Sequence, residues 1–407
     1  MSETQRWSFK LSYAEFIVLI SMLMALTALS IDAMLPANPQ ITEQFGISKP
    51  EDLQLIVNVF FLGFAISQLV YGPLADRFGR KPILLLGIGI YLCASFFAIF
   101  APSFESLIMA RFFQGIGSGS PRVIPTSIIR DVTQGRQMAK LMSLTMMVFI
   151  IVPVLAPSLG ELILLAGSWQ WIFIMLTIMA MILGVWLFLR LPETLAESDR
   201  QPLNVTSLLS NIKTVLTNPI TMGYTLALSA IFGAFNIYLS ASQPIFDQFY
   251  DLADQFAVIF GFVAAFMGLS SYLNSRLVIN LGMRYLSHIG LVVFVGLSCI
   301  FVVACLLYDG LPPACIFIGL MAGLLFLIGI IFPNQHALAM EPMEKLAGTA
   351  ASVIGCISTT IGVILGTLVG FWLNGSLLPM ALAFLVYGSI SLYIAYQTNK
   401  YYGNEQS

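Results

Sequence analysis

The 407-residue chain is 58% hydrophobic, only 9% charged, and carries a formal net charge of −2. A soluble domain has about a quarter of its residues charged, so this chain lacks the polar surface to meet water on all sides, and a water-soluble protein is excluded. The near-neutral charge gives no footing for nucleic acid.

A polar stretch at 2–12 leads into a long apolar run without a small-residue cleavage signal, and so reads as a first span rather than a removable leader. A helix needs about 20 apolar residues to cross the hydrocarbon core. On that measure the chain predicts spans at 14–36, 53–73, 82–101, 106–128, 139–163 and 169–190, then 219–242, 255–277, 285–307, 313–337, 347–373 and 376–397. The runs lack the alternation of a β-barrel. The expected fold is therefore an all-α membrane protein of twelve transmembrane helices in two six-helix bundles, at 1–190 and 219–407, joined by a polar linker at 191–218.

Basic residues set the orientation. With both termini cytoplasmic, fifteen of the eighteen Lys and Arg fall on the cytoplasmic side; Lys49 is alone outside, and Arg111 and Arg122 lie within a span. The two halves also resemble each other. The loop after span 2 runs Leu74-Ala75-Asp76-Arg77-Phe78-Gly79-Arg80-Lys81, and the loop after span 8 runs Leu277-Val278-Ile279-Asn280-Leu281-Gly282-Met283-Arg284. The leucine, the glycine and the last basic residue match in offset. Two related six-helix halves around a midplane site are a recurring transporter plan.

Ionisable groups inside spans are costly and functional by default. Asp32 lies about 18 residues into span 1 and Arg111 about five into span 4, which runs the opposite way. At about 1.5 Å per residue they share a depth, and they can meet if spans 1 and 4 line one cavity. Arg122 follows three turns after Arg111 on nearly the same face, and Gln114 and Ser118 extend that polar stripe. In the second half the candidates are neutral: Asn236, Tyr238, Ser240 and Gln243 in span 7, and Ser358 and Thr359 in span 11. Each serves equally as polar glue between helices. For Arg122, cargo binding and hydrogen bonding to carbonyls freed by Pro125 both stay open. The five cysteines form no metal-binding or CxxC pattern and read as free thiols in the core. No metal site is expected.

Several of these segments resemble a known family. Gly72-Pro73-Leu74-Ala75-Asp76-Arg77-Phe78-Gly79-Arg80-Lys81-Pro82 is similar to the signature loop of the major facilitator superfamily, and Arg111-Phe112-Phe113-Gln114-Gly115-Ile116-Gly117 to its span-4 motif. Pro153-Val154-Leu155-Ala156-Pro157-Ser158-Leu159-Gly160 resembles its span-5 antiporter motif, departing from it at Ala156-Pro157 and Gly160-Glu161. Asp32 with Leu35-Pro36, Ser240-Ala241-Ser242 with Pro244, and Phe332-Pro333-Asn334 near Met340-Glu341-Pro342 resemble the bicyclomycin-resistance group of drug:proton antiporters.

That resemblance implies a proton-coupled monomer: a single chain exporting a small organic solute by alternating access across the cell inner membrane, as in multidrug efflux and antibiotic resistance. It implies proton coupling at Asp32 and Arg111, and conformational gating through Gly72, Asp76, Arg77, Gly79, Arg80, Pro153, Pro157 and Gly160. Dedicated export or import of a metabolite or siderophore on the same fold is the alternative. The partners are then the cargo, protons and the bilayer, with no cofactor: no GxxxxGK[ST] loop is present to bind ATP. An enzyme is not expected, since the longest loop has no catalytic cluster. One proton crossing about 100 mV supplies roughly 2.3 kcal/mol, enough for a roughly forty-fold gradient.

Overall fold

A computed structural model describes residues 11–47, 50–133, 135–200, 205–373 and 375–406. Arg6, Lys10 and Lys49, which entered the charge count, lie outside them. All regular structure among the described residues is helical. The helices are α1 (Tyr13–Asp32), α2 (Asn38–Phe45), α3 (Pro50–Phe78), α4 (Arg80–Ile99), α5 (Phe104–Val132), α6 (Gly135–Ala166) and α7 (Gln170–Arg190). Then come α8 (Val205–Thr217), α9 (Pro219–Pro244), α10 (Phe256–Leu281), α11 (Met283–Leu307), α12 (Ala314–Met340), α13 (Ala347–Gly370) and α14 (Leu378–Gln406).

Ten of these helical segments are long and apolar enough to cross a membrane. The two long helices outside that set, α5 and α6, have 29 and 32 residues and complete the twelve. α5 falls short in apolarity because it carries Arg111, Arg122 and a run of Gly, Ser and Pro. Local chemistry sets the helix starts. Ser12 Oγ accepts from Glu15 N at α1, Ser103 forms a capping box at α5, and Asn218 Oδ1 accepts from Ile220 N and Thr221 N ahead of α9, where Pro219 needs no donor.

The chain forms two compact units. The first comprises Met1–Gly46 and Val59–Val205, the second Ile47–Asn58 and Thr206–Ser407. Inside the first unit α1 packs on α5, α6 and α7, and α4 on α5 and α7. Inside the second, α9 packs on α12, α13 and α14, and α11 on α12 and α14. Numbered by span, each neighbour pair of the first unit recurs six spans later in the second. The duplication legible in two loops therefore extends to the internal packing of each unit. Gly79 and Gly282, which match in those loops, both have positive φ (101° and 79°), a conformation that side chains rarely adopt.

The start of α3 goes with the second unit, where Asn58 Nδ2 donates to Thr367 Oγ1 at 2.9 Å. The segment expected as a polar linker contains the helix α8. Its apolar residues Val205, Leu208, Leu209, Ile212, Val215 and Leu216 recur at helical spacing, and Val215 is buried. The cysteines are free, but Cys93, Cys299 and Cys315 are exposed and only Cys305 is buried. In a membrane protein an apolar run covers the lipid face as well as the core, so apolarity did not place them inside.

Candidate functional site

In the first unit, the loop between α3 and α4 is tied by charge. Arg80 is buried; its guanidinium donates to Asp76 in α3, and its Nε donates to Asp131 Oδ2 at the end of α5 at 2.9 Å. The open amides that begin α4 are capped by Glu193, which accepts from Arg80 N (2.9 Å) and Lys81 N (3.1 Å). The same carboxylate accepts from Thr194 N and Leu195 N. Gly79 allows this approach: a Cβ there would sit 2.5 Å from Glu193 Oε2. The sequence pointed to Asp76, Gly79 and Arg80 but not to Asp131 or Glu193, whose spacing from the loop gives no local signal. Arg77 is exposed and Gly72 half-buried.

Deeper in the same unit, Arg111 is fully buried on α5. Its Nη1 donates to Gln114 Oε1 at 2.5 Å, and its guanidinium lies 4.6 Å from the centre of the Phe60 ring, a cation–π contact. Gln114 Nε2 donates to Ser95 Oγ (2.8 Å), Ser95 Oγ to Tyr91 O (2.8 Å), and Tyr91 shares a hydrogen bond with Ser30 of α1. A polar chain thus runs from Arg111 through α4 to within two residues of Asp32. Ser30, Tyr91 and Ser95 were not foreseen, since single hydroxyls in apolar runs are ordinary, and neither was Phe60, one phenylalanine among 31.

Asp32 is only 4% exposed, and its Oδ1 has no hydrogen-bond partner. Among the described residues no ion pair joins Asp32 to Arg111; the guanidinium is directed to Gln114 and Phe60 instead. Ser118 is buried where α5 crosses α1, its carbonyl accepting from Thr27 Oγ1 at 3.1 Å and its hydroxyl donating to Gly115 O. Arg122 is half-buried further along α5. Pro153 and Pro157 both fall within α6, and Gly160 of that helix abuts α1.

In the second unit, Asn236 of α9 is fully buried, and neither its amide nitrogen nor its oxygen has a hydrogen-bond partner. It faces α13, where a Cβ on Gly366 would lie 2.3 Å from its Oδ1. Ser240 and Gln243 share this face by spacing, but Ser240 Oγ donates to Asn236 O at 2.8 Å and Gln243 Nε2 to Asp247 Oδ2 at 3.4 Å. Tyr238 points elsewhere and stacks on Phe260 of α10, with centroids 5.6 Å apart. Ser358 and Thr359 are buried on α13, and the Ser358 hydroxyl donates to Gly355 O. Among the described residues no group of three or more His, Cys, Asp or Glu is placed to hold a metal.

Long helices, most of them apolar enough to span a membrane, with isolated buried charges and polar chains between them fit a multi-pass membrane transporter. The chain belongs to the Major Facilitator Superfamily, whose family model matches residues 20–367. It is 30% identical over 369 residues to a bicyclomycin resistance protein homolog of Haemophilus influenzae, covering 90% of this chain and 91% of that one. It is 38% identical over 164 residues to the multidrug resistance protein MdtL of Shewanella oneidensis, covering 40% and 41%. Its fold is similar to that of a D-xylose–proton symporter (TM-score 0.75, 16% identity, 95% and 97% coverage). It is also similar to the human organic anion transporter MFSD10 (TM-score 0.70, 16% identity, 94% and 98% coverage). It is a secondary transporter of this superfamily, not an enzyme.

Proposed function

We propose that this chain is a proton-coupled antiporter that exports a small organic solute from the cell, with Asp32 as its proton carrier. The observation that carries this reading is the buried Asp32 carboxyl with an unpartnered Oδ1. Ionised, it has no donor there to replace lost hydration; protonated, it loses that penalty. A group in this state favours taking up a proton in one conformation and releasing it in another. The polar chain from Arg111 to Ser30 offers α1 a fixed hydrogen-bonding neighbour across that change.

Alternating access then couples inward proton flow to outward cargo flow, with no cofactor and a single chain as the working unit. The bias of basic residues supports an inner-membrane setting with both termini cytoplasmic. The resistance proteins among the relatives support a drug or drug-like cargo.

Inside-out vesicles test this reading directly. An acid interior drives accumulation of the right cargo, drawn from a panel of antibiotics that includes bicyclomycin. Asp32→Asn is expected to be inserted and folded but to lose acid-driven accumulation. Accumulation at the wild-type rate by that variant, at equal expression, overturns the assignment.

A further inference from the structure

An apolar groove of about 580 Å³ runs along the first unit, formed by Met22 of α1, Ala166 of α6 and Trp171, Ile174, Ile178 and Trp186 of α7, among others. None of the residues lining it is charged. Its volume falls in the range of about 300–1,000 Å³ that takes a drug-sized ligand. Trp171 and Trp186 are 15 residues apart on one helix, so the groove is about 22 Å long at about 1.5 Å per residue, most of a hydrocarbon core of about 30 Å. Ile178 is 46% exposed and Trp171 51% exposed, so the groove opens sideways.

One end of the groove is charged. Trp186 Nε1 donates to Glu15 Oε1 at 3.1 Å, and Glu15 is held by Arg190 through Nε (2.8 Å) and Nη2 (2.8 Å). The Arg190 side chain remains 44% exposed. A long apolar channel ending at a half-exposed Arg–Glu pair matches an acyl chain whose head group carries both a negative and a positive charge.

We infer that this groove holds one acyl chain of a phospholipid whose phosphate lies against Arg190. The bilayer around the helices supplies that ligand at saturation. An acyl chain leaving lipid for the groove gains no hydrophobic free energy, because both surroundings are apolar. Retention therefore rests on close packing against three helices and on charge-assisted hydrogen bonds from Arg190. This separates a held lipid from the surrounding ones, and it makes Arg190 the residue to test. A second copy of the chain would instead need a broad complementary face, typically about 800 Å² per partner, which a narrow groove does not offer.

The test is native mass spectrometry of the full chain after reconstitution in phosphatidylethanolamine–phosphatidylglycerol vesicles and extraction in mild detergent. The wild type is expected to retain one phospholipid. Ala166→Phe and Ile178→Trp, which fill the groove, are expected to lose it. Arg190→Gln, at the groove's end and outside the packed interior, is expected to lower retention about tenfold, the scale of one charge-assisted contact. No retained phospholipid on the wild type, or equal retention by the wild type and Arg190→Gln, overturns the inference. So does a dimer that Ala166→Phe dissociates, which would give the groove to a second copy. The readout is bound lipid, so it stands apart from the proton-coupling reading.

Discussion

Gly160 of α6 lies against Ala33, the residue after Asp32: a Cβ built on Gly160 would be 2.2 Å from the Ala33 carbonyl oxygen. No flexible side chain can yield there, because the obstacle is backbone. The span-5 motif glycine thus sets how closely α6 approaches the helix that carries the buried carboxyl. Gly160→Ala is expected to destabilise the protein by about 1–3 kcal/mol, the usual cost of overpacking, and to slow transport severely. Thermal unfolding in detergent and vesicle transport at matched expression check it; wild-type stability and rate in this variant would remove Gly160 from the account.

The Asp76–Arg80–Asp131 cluster leads to a different expectation. Arg80 is buried and shared by two carboxylates; removing it strands Asp131, but at less than the about 3–5 kcal/mol of a fully buried pair, because the Asp76 side chain is 46% exposed. Asp76→Asn and Asp131→Asn are milder, since the partner carboxylate stays. Both are expected to slow turnover by weakening a contact that biases one conformation, with cargo affinity nearly unchanged. Equilibrium cargo binding measured beside transport rate decides it. A large loss of affinity at unchanged turnover contradicts a gating role.

At Arg111, shape matters as much as charge. Its guanidinium donates to Gln114 while lying over Phe60, and a lysine ammonium cannot present the same planar fork. Arg111→Lys is therefore expected to keep the positive charge yet lose at least about tenfold in transport, the effect of one lost contact. Gln114→Leu, which removes the link to Ser95, is expected to act in the same direction. Full activity in Arg111→Lys reduces the role of this site to its charge alone.

Cargo charge follows from the ionisable residues that lie away from the span ends. Asp32, Arg111 and Arg122 sum to +1 with the carboxyl ionised and +2 with it protonated. Repulsion of a cation is amplified where the dielectric is low. Neutral, zwitterionic or anionic cargo is expected, with Arg122 contacting an acceptor on it. Competition assays across cargo charge, in wild type and Arg122→Ala, check this. Robust export of quaternary ammonium compounds by the wild type, with an unchanged range in Arg122→Ala, contradicts it.

Asn236 is expected to contribute to cargo affinity. A buried carboxamide with neither atom bonded carries a penalty of about 1–3 kcal/mol per group, which a polar cargo group can remove. Asn236→Leu is expected to weaken cargo binding about tenfold while raising thermal stability. Unchanged affinity with raised stability leaves Asn236 outside the binding site.

The sequence by itself determined the number of spans, the ionisable residues within them, the loop chemistry around Asp76 and Arg80, and the recurrence of a glycine at 79 and 282. These are local properties: apolar length, turn stereochemistry and charge along the chain. Only the tertiary structure decided that Arg111 turns to Gln114 and Phe60 rather than pairing with Asp32, that Asp131 and Glu193 complete the loop, and that Tyr238 faces Phe260 while Asn236 faces α13. The physical reason is the solvent. In water an apolar stripe marks the inward face of a helix, but in a bilayer the core and the lipid are both apolar. Each helix therefore has no sequence-readable inside, and which residues meet is fixed only when helices pack, through close-approach positions such as Gly160 and Gly366.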